Sequence, residues 1–454
     1  MIEKFRRTKF YNELVSLAEK NNSILPEAYE DYDAKVGLRN SDGTGVLIGL
    51  TEIGDVKAYN RGPNGERIPT EGQLFYRGIE INDLVKGYQR EKRHGFEEVC
   101  YLLLFGVLPT KSELARFQQL LRENRPLPTG FTEDMILKAP SNNIMNKLAR
   151  NVLTCYSYDD NPDDLNIGNV LRQCIELIAM FPTMIAYGYQ AKVHFYDKKS
   201  LFIHKPQDEL TASENFLHMI RLDNYYSELE AEVLDLSLML HAEHGGGNNS
   251  TFATRVVSST ATDTYSAIAA AVGSLKGSKH GGANIKVMEM VEDIKANVKN
   301  WNNEKALEDY LAKILRKEAF DGKGLIYGLG HAVYTLSDPR AILLKEKAYA
   351  LAEEKGLAEE FQLYTSIEKI APEIFAQQKK DAKLIVPNVD FYSGFVYQML
   401  NIPLEVYTPI FAMARVSGWA AHLIEELVSG GKIIRPAYKN IAEKIPYTPL
   451  AERG

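Results

Sequence analysis

A strongly amphipathic stretch in the last third of the chain indicates the fold class. Residues 303–320 run NEKALEDYLAKILRKEAF, in which apolar residues from Leu307 to Leu315 recur at three- and four-residue spacing. This spacing is typical of a helix that buries one face. Residues 230–241 repeat the period, and residues 410–428 are apolar nearly all round, which predicts a buried helix.

Strand signals are confined to one early region. Residues 45–59 contain Val46, Ile48 and Val56 among glycines, which predicts a small sheet or hairpin. No repeat with a period of roughly 20–50 residues is present, and strands do not alternate with helices as a parallel sheet requires. We therefore expect an all-α fold with a minor β element near residues 45–60.

The charge balance limits the classes of partner. Lysine and arginine together number 53, and aspartate and glutamate 60, which gives a formal net charge of −7 over 454 residues. Proteins dedicated to nucleic acids or anionic membranes normally carry a basic excess, so neither partner is expected. An anionic substrate must then be bound by a local cluster of cations. The length fits two or three domains, or one large domain with an insertion.

The cysteines and the apolar segments indicate the compartment. Cys100, Cys155 and Cys174 lie far apart in the sequence and form no Cys-x-x-Cys pair, as expected of buried thiols in a reducing compartment. Residues 1–15 are charged and do not have the pattern of a signal peptide. Apolar runs such as 99–108 are shorter than the roughly 18–20 residues that cross a bilayer. We therefore expect a soluble, cytoplasmic protein.

Four glycine-containing tracts carry the candidate functional residues. The first, residues 241–250, runs HAEHGGGNNS and ends a helical stretch. His241 and His244 lie on one helix face with Glu243 between them, so a metal site is one hypothesis. The alternatives are histidines that pack and cap, or His244 as a hydrogen-bond donor to a ligand.

The second tract, residues 276–284, runs KGSKHGGAN and places His280 just before glycines and an apparent helix start. The positive end of a helix dipole disfavours imidazolium, so a neutral His280 is able to donate a hydrogen bond to a developing oxyanion. The alternative is a simple helix N-cap.

The other two tracts add an arginine and an aspartate. Residues 328–340 run GLGHAVYTLSDPR, in which Arg340 offers a planar fork for a carboxylate. A surface ion pair between Asp338 and Arg340 is the alternative. Residues 387–394 run PNVDFYSG, where apolar neighbours predict a raised pKa for Asp390 and hence a general base. An N-cap role for Asp390 is the alternative.

Together, and in this order, the four tracts resemble those of the citrate synthase family, which includes citrate synthase and 2-methylcitrate synthase. The resemblance extends from about residue 37 to residue 436. It includes LFYRG at 74–78, TPIFAMAR at 408–415 and IRP at 434–436.

The resemblance implies an all-α fold of two domains. A large helical domain is expected from residues 1–280, a smaller helical domain inserted at 281–384, and a return to the large domain at 385–454. It also implies an enzyme of the tricarboxylic acid cycle that condenses acetyl-CoA with oxaloacetate and water, giving citrate and CoA. Neither a metal nor a permanently bound cofactor is expected.

The same resemblance assigns roles to individual residues. Asp390 is expected to remove a proton from the acetyl methyl group, His280 to stabilise the enol, and His331 to polarise the ketone of oxaloacetate. The residues expected to bind the carboxylates of oxaloacetate are His244, Arg340, Arg415 and Arg435. Arg435 is expected to reach the site of a neighbouring subunit, which implies a homodimer.

The expected CoA contacts depart in part from the family's pattern. Members of the family often carry a basic residue just after the catalytic histidine or four positions beyond it, where this chain has Ala332 and Thr335. The residues expected to contact CoA are Leu325, Gly328, Leu329, Gly330, Lys279 and Lys323.

Three other functions stay open at the level of sequence. A 2-methylcitrate synthase, which uses propionyl-CoA, needs the same base, donor and arginines. A helical metallohydrolase would use His241 and His244. A non-enzymatic helical scaffold would need none of these residues for chemistry.

Overall fold

The computed structural model describes residues 8–40, 42–64, 66–330, 333–378 and 385–453. Most of these residues are helical, so the predicted all-α class is confirmed. The α-helices are α1 Lys9–Asn21, α2 Pro26–Asp31, α3 Ile81–Glu91, α4 Phe96–Phe105, α5 Lys111–Glu123, α6 Ile144–Cys155, α7 Ile167–Phe195, α8 Ala212–Ile220, α9 Glu228–His241, α10 Asn249–Ser258, α11 Thr264–Leu275, α12 Ala283–Asn297, α13 Glu304–Leu315, α14 Pro339–Glu354, α15 Ala358–Gln378, α16 Val389–Met399 and α17 Tyr407–Val428.

The minor β element is a three-stranded antiparallel sheet that begins later than predicted. Its strands, in the order β1-β2-β3, are β1 Gly54–Arg61, β2 Arg67–Tyr76 and β3 Ile79–Glu80. The prediction of strand over residues 45–53 is wrong. Glycines interrupt that run, and Leu47 and Leu50 are 84% and 89% exposed, so no apolar face is there to be covered by a sheet.

The chain divides into two compact units, residues 1–50 and residues 51–454. The first unit contains α1 and α2, neither of which buries a residue. The second unit contains the sheet and the remaining helices, and its core is one contiguous cluster of buried side chains.

Two long helices occupy that core. α17 is buried on every side from Tyr407 to Leu423. The predicted burial of residues 410–428 is therefore confirmed up to Leu423, whereas Val428 is 65% exposed. α7 is long and apolar enough to cross a membrane by length and composition, contrary to the expectation from the apolar runs. However, 83% of its apolar window is buried inside the protein, which is typical of a core helix. Cys100, Cys155 and Cys174 are buried and free, as predicted.

Local sequence signals fix the helix ends that matter for the candidate site. Ser227 and Glu230 form a capping box at the start of α9, which ends at His241 as predicted. Asp338 caps α14, with Pro339 at its first position. The helix predicted over 303–320 ends earlier, at Leu315, because Lys317 takes the left-handed conformation with φ 66°.

The loop at residues 328–330 is joined to the segment before α16. Gly330 N–H donates to the Val386 carbonyl at 2.7 Å, and Asn388 N–H donates to the Gly328 carbonyl at 2.9 Å. Gly328 has φ +79°, and a Cβ there would lie 2.7 Å from Val287 and 2.8 Å from Phe391. Only glycine allows this close approach, which holds the loop against the start of α16.

Candidate active site

His280 lies in the turn between α11 and α12, beside a buried hydroxyl. Its Nε2 is 3.0 Å from Ser250 Oγ, which also accepts a hydrogen bond from Trp419 Nε1–H at 3.1 Å. Burial, followed by the charge of Arg415, lowers the pKa of His280 to about 4. The neutral form of His280 that the sequence predicts is therefore favoured at pH 7. Its causes are burial and the nearby cation of Arg415, not the helix dipole on which the prediction was based. The N-cap of α12 is Gly282, so the N-cap alternative for His280 is wrong.

Asp390 is the second residue of α16, and its carboxylate is available for chemistry. The N-cap is Asn388, whose Oδ1 accepts the Asp390 N–H at 3.0 Å, so the N-cap alternative for Asp390 is wrong. Burial, reinforced by Asp338 and opposed by Arg340 and Arg415, raises the pKa of Asp390 to about 6. The raised pKa predicted from sequence is confirmed. A carboxylate with this pKa is ionised at pH 7 and is still a competent base.

Arg340 forms an ion pair with Asp338, but the pair is buried instead of lying on the surface. Nε and Nη2 of Arg340 donate to the two carboxylate oxygens of Asp338 at 3.0 and 2.8 Å. Asp338 also accepts the backbone N–H of Val389 at 3.2 Å. One carboxylate therefore joins the starts of α14 and α16, which brings Arg340 and Asp390 into the same site.

Arg415 is fully buried in α17 and its guanidinium is largely unpartnered. Nε donates to the His241 carbonyl at 2.6 Å, whereas Nη1 and Nη2 are buried without a hydrogen-bond partner in the described part of the chain. Burial lowers the pKa of Arg415 to about 10, against the opposing charge of Glu243. The group stays charged at pH 7. A buried cation with two unused donors is costly unless an anion binds there.

The two histidines of the first tract do not behave as a metal pair. His241 is buried, its Nδ1 lies 2.7 Å from the Ser237 carbonyl, and burial lowers its pKa to about 3. The half-buried ring of His244 lies edge-on to Tyr334, 5.7 Å between centroids. Among the residues that the structure describes, no three or more His, Cys, Asp or Glu side chains are grouped to hold a metal. His241 thus has the packing role, and His244 lies beside the site.

Not all predicted residues are brought together. Arg435 is exposed on the segment without regular secondary structure that follows α17, whereas Arg340 and Arg415 are buried. Leu325 and Lys279 are exposed, and Lys323 lies 4.0 Å from Asp321. His331 lies outside the described residues.

Sequence reasoning missed three contributors to the site. The Asp-Pro pair at Asp338 does indicate the start of a helix, but nothing in the sequence indicates that the ion pair of Asp338 with Arg340 is buried. Tyr334 carried no local sequence signal for its place in the site. The guanidinium carbon of Arg340 lies 5.7 Å from the centroid of its ring. Trp419, whose contact with Ser250 spans 169 residues of sequence, carried no such signal either.

Comparison with known proteins identifies the family. The family model "Citrate synthase, C-terminal domain" matches residues 42–437. A citrate synthase from Synechocystis sp. is 37% identical over 387 residues, 85% of this chain and 89% of the relative. A 2-methylcitrate synthase from Shewanella oneidensis is 33% identical over 382 residues, 84% of this chain and 92% of the relative.

The fold comparison agrees. A solved structure of the ternary complex of carboxymethyl coenzyme A and oxaloacetate with citrate synthase from Thermoplasma acidophilum matches with a TM-score of 0.74 and 26% identity. The match covers 92% of this chain and 99% of that one. The chain therefore belongs to the citrate synthase family, and it has the family's all-α fold.

Proposed function

We propose that this protein condenses acetyl-CoA with oxaloacetate and hydrolyses the resulting thioester to citrate and CoA. The observation that carries the proposal is the buried guanidinium of Arg415, with two nitrogens that lack a partner within the described residues. The charges of Arg340 and Arg415 both act on Asp390, so cations and base belong to one site. A dianionic keto acid supplies the carboxylates that such cations need.

The proposed chemistry begins at Asp390. Its carboxylate takes a proton from the methyl group of the thioester, and His280 donates a hydrogen bond to the oxygen on which charge develops. The enol carbon then attacks the ketone of oxaloacetate, which His331 polarises by the family's pattern, and water cleaves the citryl thioester. A positioned base contributes roughly 10²–10⁴ in rate, and a preorganised donor roughly 10²–10³.

Ser250 is proposed to set the tautomer of His280. A hydroxyl has one proton and two acceptor sites, and an indole N–H only donates, so Trp419 fills one acceptor site of Ser250. In the structure Ser250 Oγ–H donates to the amide oxygen of Asn248 at 2.9 Å. The proposed role requires the Asn248 amide to turn, so that its NH₂ group donates to Ser250 and the serine proton goes to His280 Nε2. The proton of neutral His280 is then on Nδ1, ready to donate to the thioester.

A homodimer is proposed as the active form, with Arg435 of each chain completing the other's oxaloacetate site. The segment that carries Arg435 has no regular secondary structure and exposes large apolar side chains, among them Tyr438, Ile445 and Tyr447 at 94%, 83% and 81%. Such a segment is suited to contact with a second copy.

Co-expression of Asp390→Asn with Arg435→Ala chains tests the shared site. Each variant alone should be inactive. When both are expressed equally, half of the dimers are mixed and each has one intact site, which gives about a quarter of the wild-type number of sites. No recovery would exclude the shared site.

The remaining assignments are part of the same proposal. The inserted domain is placed at residues 281–384, between segments 1–280 and 385–454. CoA is placed at the Gly328–Gly330 loop, with Leu325, Lys279 and Lys323 near it. Acetyl-CoA acts as a co-substrate without a permanently bound cofactor, and the enzyme is proposed to work in the cytoplasm.

The second candidate, 2-methylcitrate synthase, is supported by the relatives of that name. The two activities differ by one methylene in the acyl pocket, which is worth only ~1–3 kcal/mol of discrimination. CoA release should be measured with acetyl-CoA and with propionyl-CoA, each with and without oxaloacetate. We expect release that depends on oxaloacetate and a higher kcat/KM for acetyl-CoA. A clear preference for propionyl-CoA would reassign the substrate, and release without oxaloacetate would exclude a condensation.

A further inference from the structure

Behind Arg415 lies a row of hydrogen-bonded charged and polar side chains that the proposed chemistry does not use. His422 and Glu243 are both completely buried, and His422 Nε2 lies 3.0 Å from Glu243 Oε1. On its other side, His422 Nδ1 lies 3.1 Å from Arg255 Nε and 2.7 Å from Arg255 Nη2. Arg255 in turn pairs with Glu425 and Glu426 near the surface.

The row has a defined direction of donation. Arginine only donates hydrogen bonds, so Nδ1 of His422 must be the acceptor and carries no proton. The proton of the neutral ring is therefore on Nε2, which donates to Glu243. Arg255 thus fixes the tautomer that makes His422 a donor.

Glu243 is held close to Arg415 without touching its donors. A Cβ on Gly418 would lie 2.5 Å from Glu243 Oε2 and 3.4 Å from Arg415 Cδ, so both side chains pack against the same glycine. Yet Oε2 of Glu243 and both Nη atoms of Arg415 have no hydrogen-bond partner in the described part of the chain. Burial alone would raise the pKa of Glu243, but His422 and Arg415 hold that pKa below its usual value.

We propose that His422 is a positioning residue that holds the Glu243 carboxylate away from the guanidinium of Arg415. Glu243 then supplies the counter-charge that a buried arginine needs, while Nη1 and Nη2 stay available for a substrate carboxylate. The inference rests on the proposed function, because it assigns those two donors to oxaloacetate. Gly245 N–H also donates to Oε1 of Glu243, at 2.5 Å. Without the hydrogen bond from His422, that single contact does not keep the unpartnered Oε2 from turning to Arg415, where it competes with the substrate.

Oxaloacetate binding by calorimetry tests this in His422→Leu, which fills the space but donates nothing. Loss of a hydrogen bond to a charged group predicts a Kd and KM for oxaloacetate raised roughly 10–100-fold. The KM for acetyl-CoA at saturating oxaloacetate should change by less than about 3-fold. His422→Gln keeps a side-chain N–H and should restore most of the affinity. The double variant His422→Leu with Glu243→Gln should also recover, because a neutral amide competes poorly for a guanidinium.

Two further variants make every outcome informative. Arg255→Met frees the tautomer of His422 and should raise the Kd in the same direction by a smaller factor, which covers the case that His422→Leu does not fold. Val170→Ala, a core truncation elsewhere, controls for loss of stability alone. If wild type binds oxaloacetate and the His422 or Arg255 variants bind it equally well, the positioning role is wrong. If wild type itself does not bind oxaloacetate, the proposed function fails instead.

Discussion

Replacing Asp390 by asparagine should abolish turnover and at the same time stabilise the protein. Burial raises the pKa of Asp390 to about 6, whereas an unfolded aspartate titrates near ~3.9. The folded state therefore binds the proton more tightly. Stability falls as pH rises from ~4 to ~6, and the full cost, about 3 kcal/mol, is present above that range. Asparagine resembles the protonated carboxyl and avoids this cost.

The size of the effect follows from the length of the chain. Globular proteins unfold with about 2.1 cal/mol/K of entropy per residue, so for a chain of 454 residues a gain of about 3 kcal/mol raises Tm by about 3 °C. Turnover, measured as CoA release with a thiol-reactive chromophore, should fall at least ~10²-fold while oxaloacetate still binds. In wild type, kcat/KM should rise with pH through about 6 as Asp390 ionises.

The stability difference should depend on pH in a defined way. Urea unfolding at pH 7 should favour Asp390→Asn, and the advantage should vanish below pH ~4, where the wild-type carboxyl is protonated in both states. Asn388→Ala, which removes the cap of α16 and leaves Asp390 in place, is the matched control and should lose stability at both pH values. A lowered Tm for Asp390→Asn, with activity reduced only in proportion to unfolding, would show that Asp390 is structural and not the base.

Three other changes test separate parts of the site. Arg415→Met should weaken oxaloacetate binding by roughly 100-fold in calorimetry, because it removes the two donors proposed for the substrate carboxylate. It should also lower stability, because the buried Glu243 loses its counter-charge; unchanged affinity would contradict the proposed ligand. Ser250→Ala should lower kcat about 10-fold with little change in the KM for oxaloacetate, because His280 loses the contact that sets its tautomer; a change confined to KM would contradict that role. Gly328→Ala, where φ is +79° and a Cβ meets Phe391, should cost about 1–3 kcal/mol in urea unfolding; wild-type stability would show that the loop shifts freely.

The sequence predicted the helices whose signal is local. The amphipathic period of α13 and the all-round apolar pattern of α17 depend only on residues a few positions apart, and both helices are present. The strand prediction was wrong over residues 45–53 because apolar β-branched residues indicate a strand only when a partner and a core face exist.

The sequence predicted some properties of each candidate-site residue and not others. Asp390, His280 and Arg340 are candidates from their own tracts, and the raised pKa of Asp390 follows from its apolar neighbours. Arg415 is a candidate only through the resemblance to the family. The buried state of the Asp338–Arg340 pair and the cause of the lowered His280 pKa did not follow. Both depend on side chains from other helices, which no local pattern specifies.

By itself, the sequence determined which residue types stand at which helix ends, because capping, periodicity and glycine turns are local properties of the chain. Only the tertiary structure decided which of those residues keep hydrogen-bonding groups available for a ligand. Within the described residues, two donors of Arg415 have no partner although α17 buries the side chain. The nearby carboxylate of Glu243 is instead hydrogen-bonded to His422, 179 residues away in sequence. Burial and hydrogen-bond partnership are set by contacts between distant segments, and these contacts turn an arginine in an apolar helix into a place for an anion.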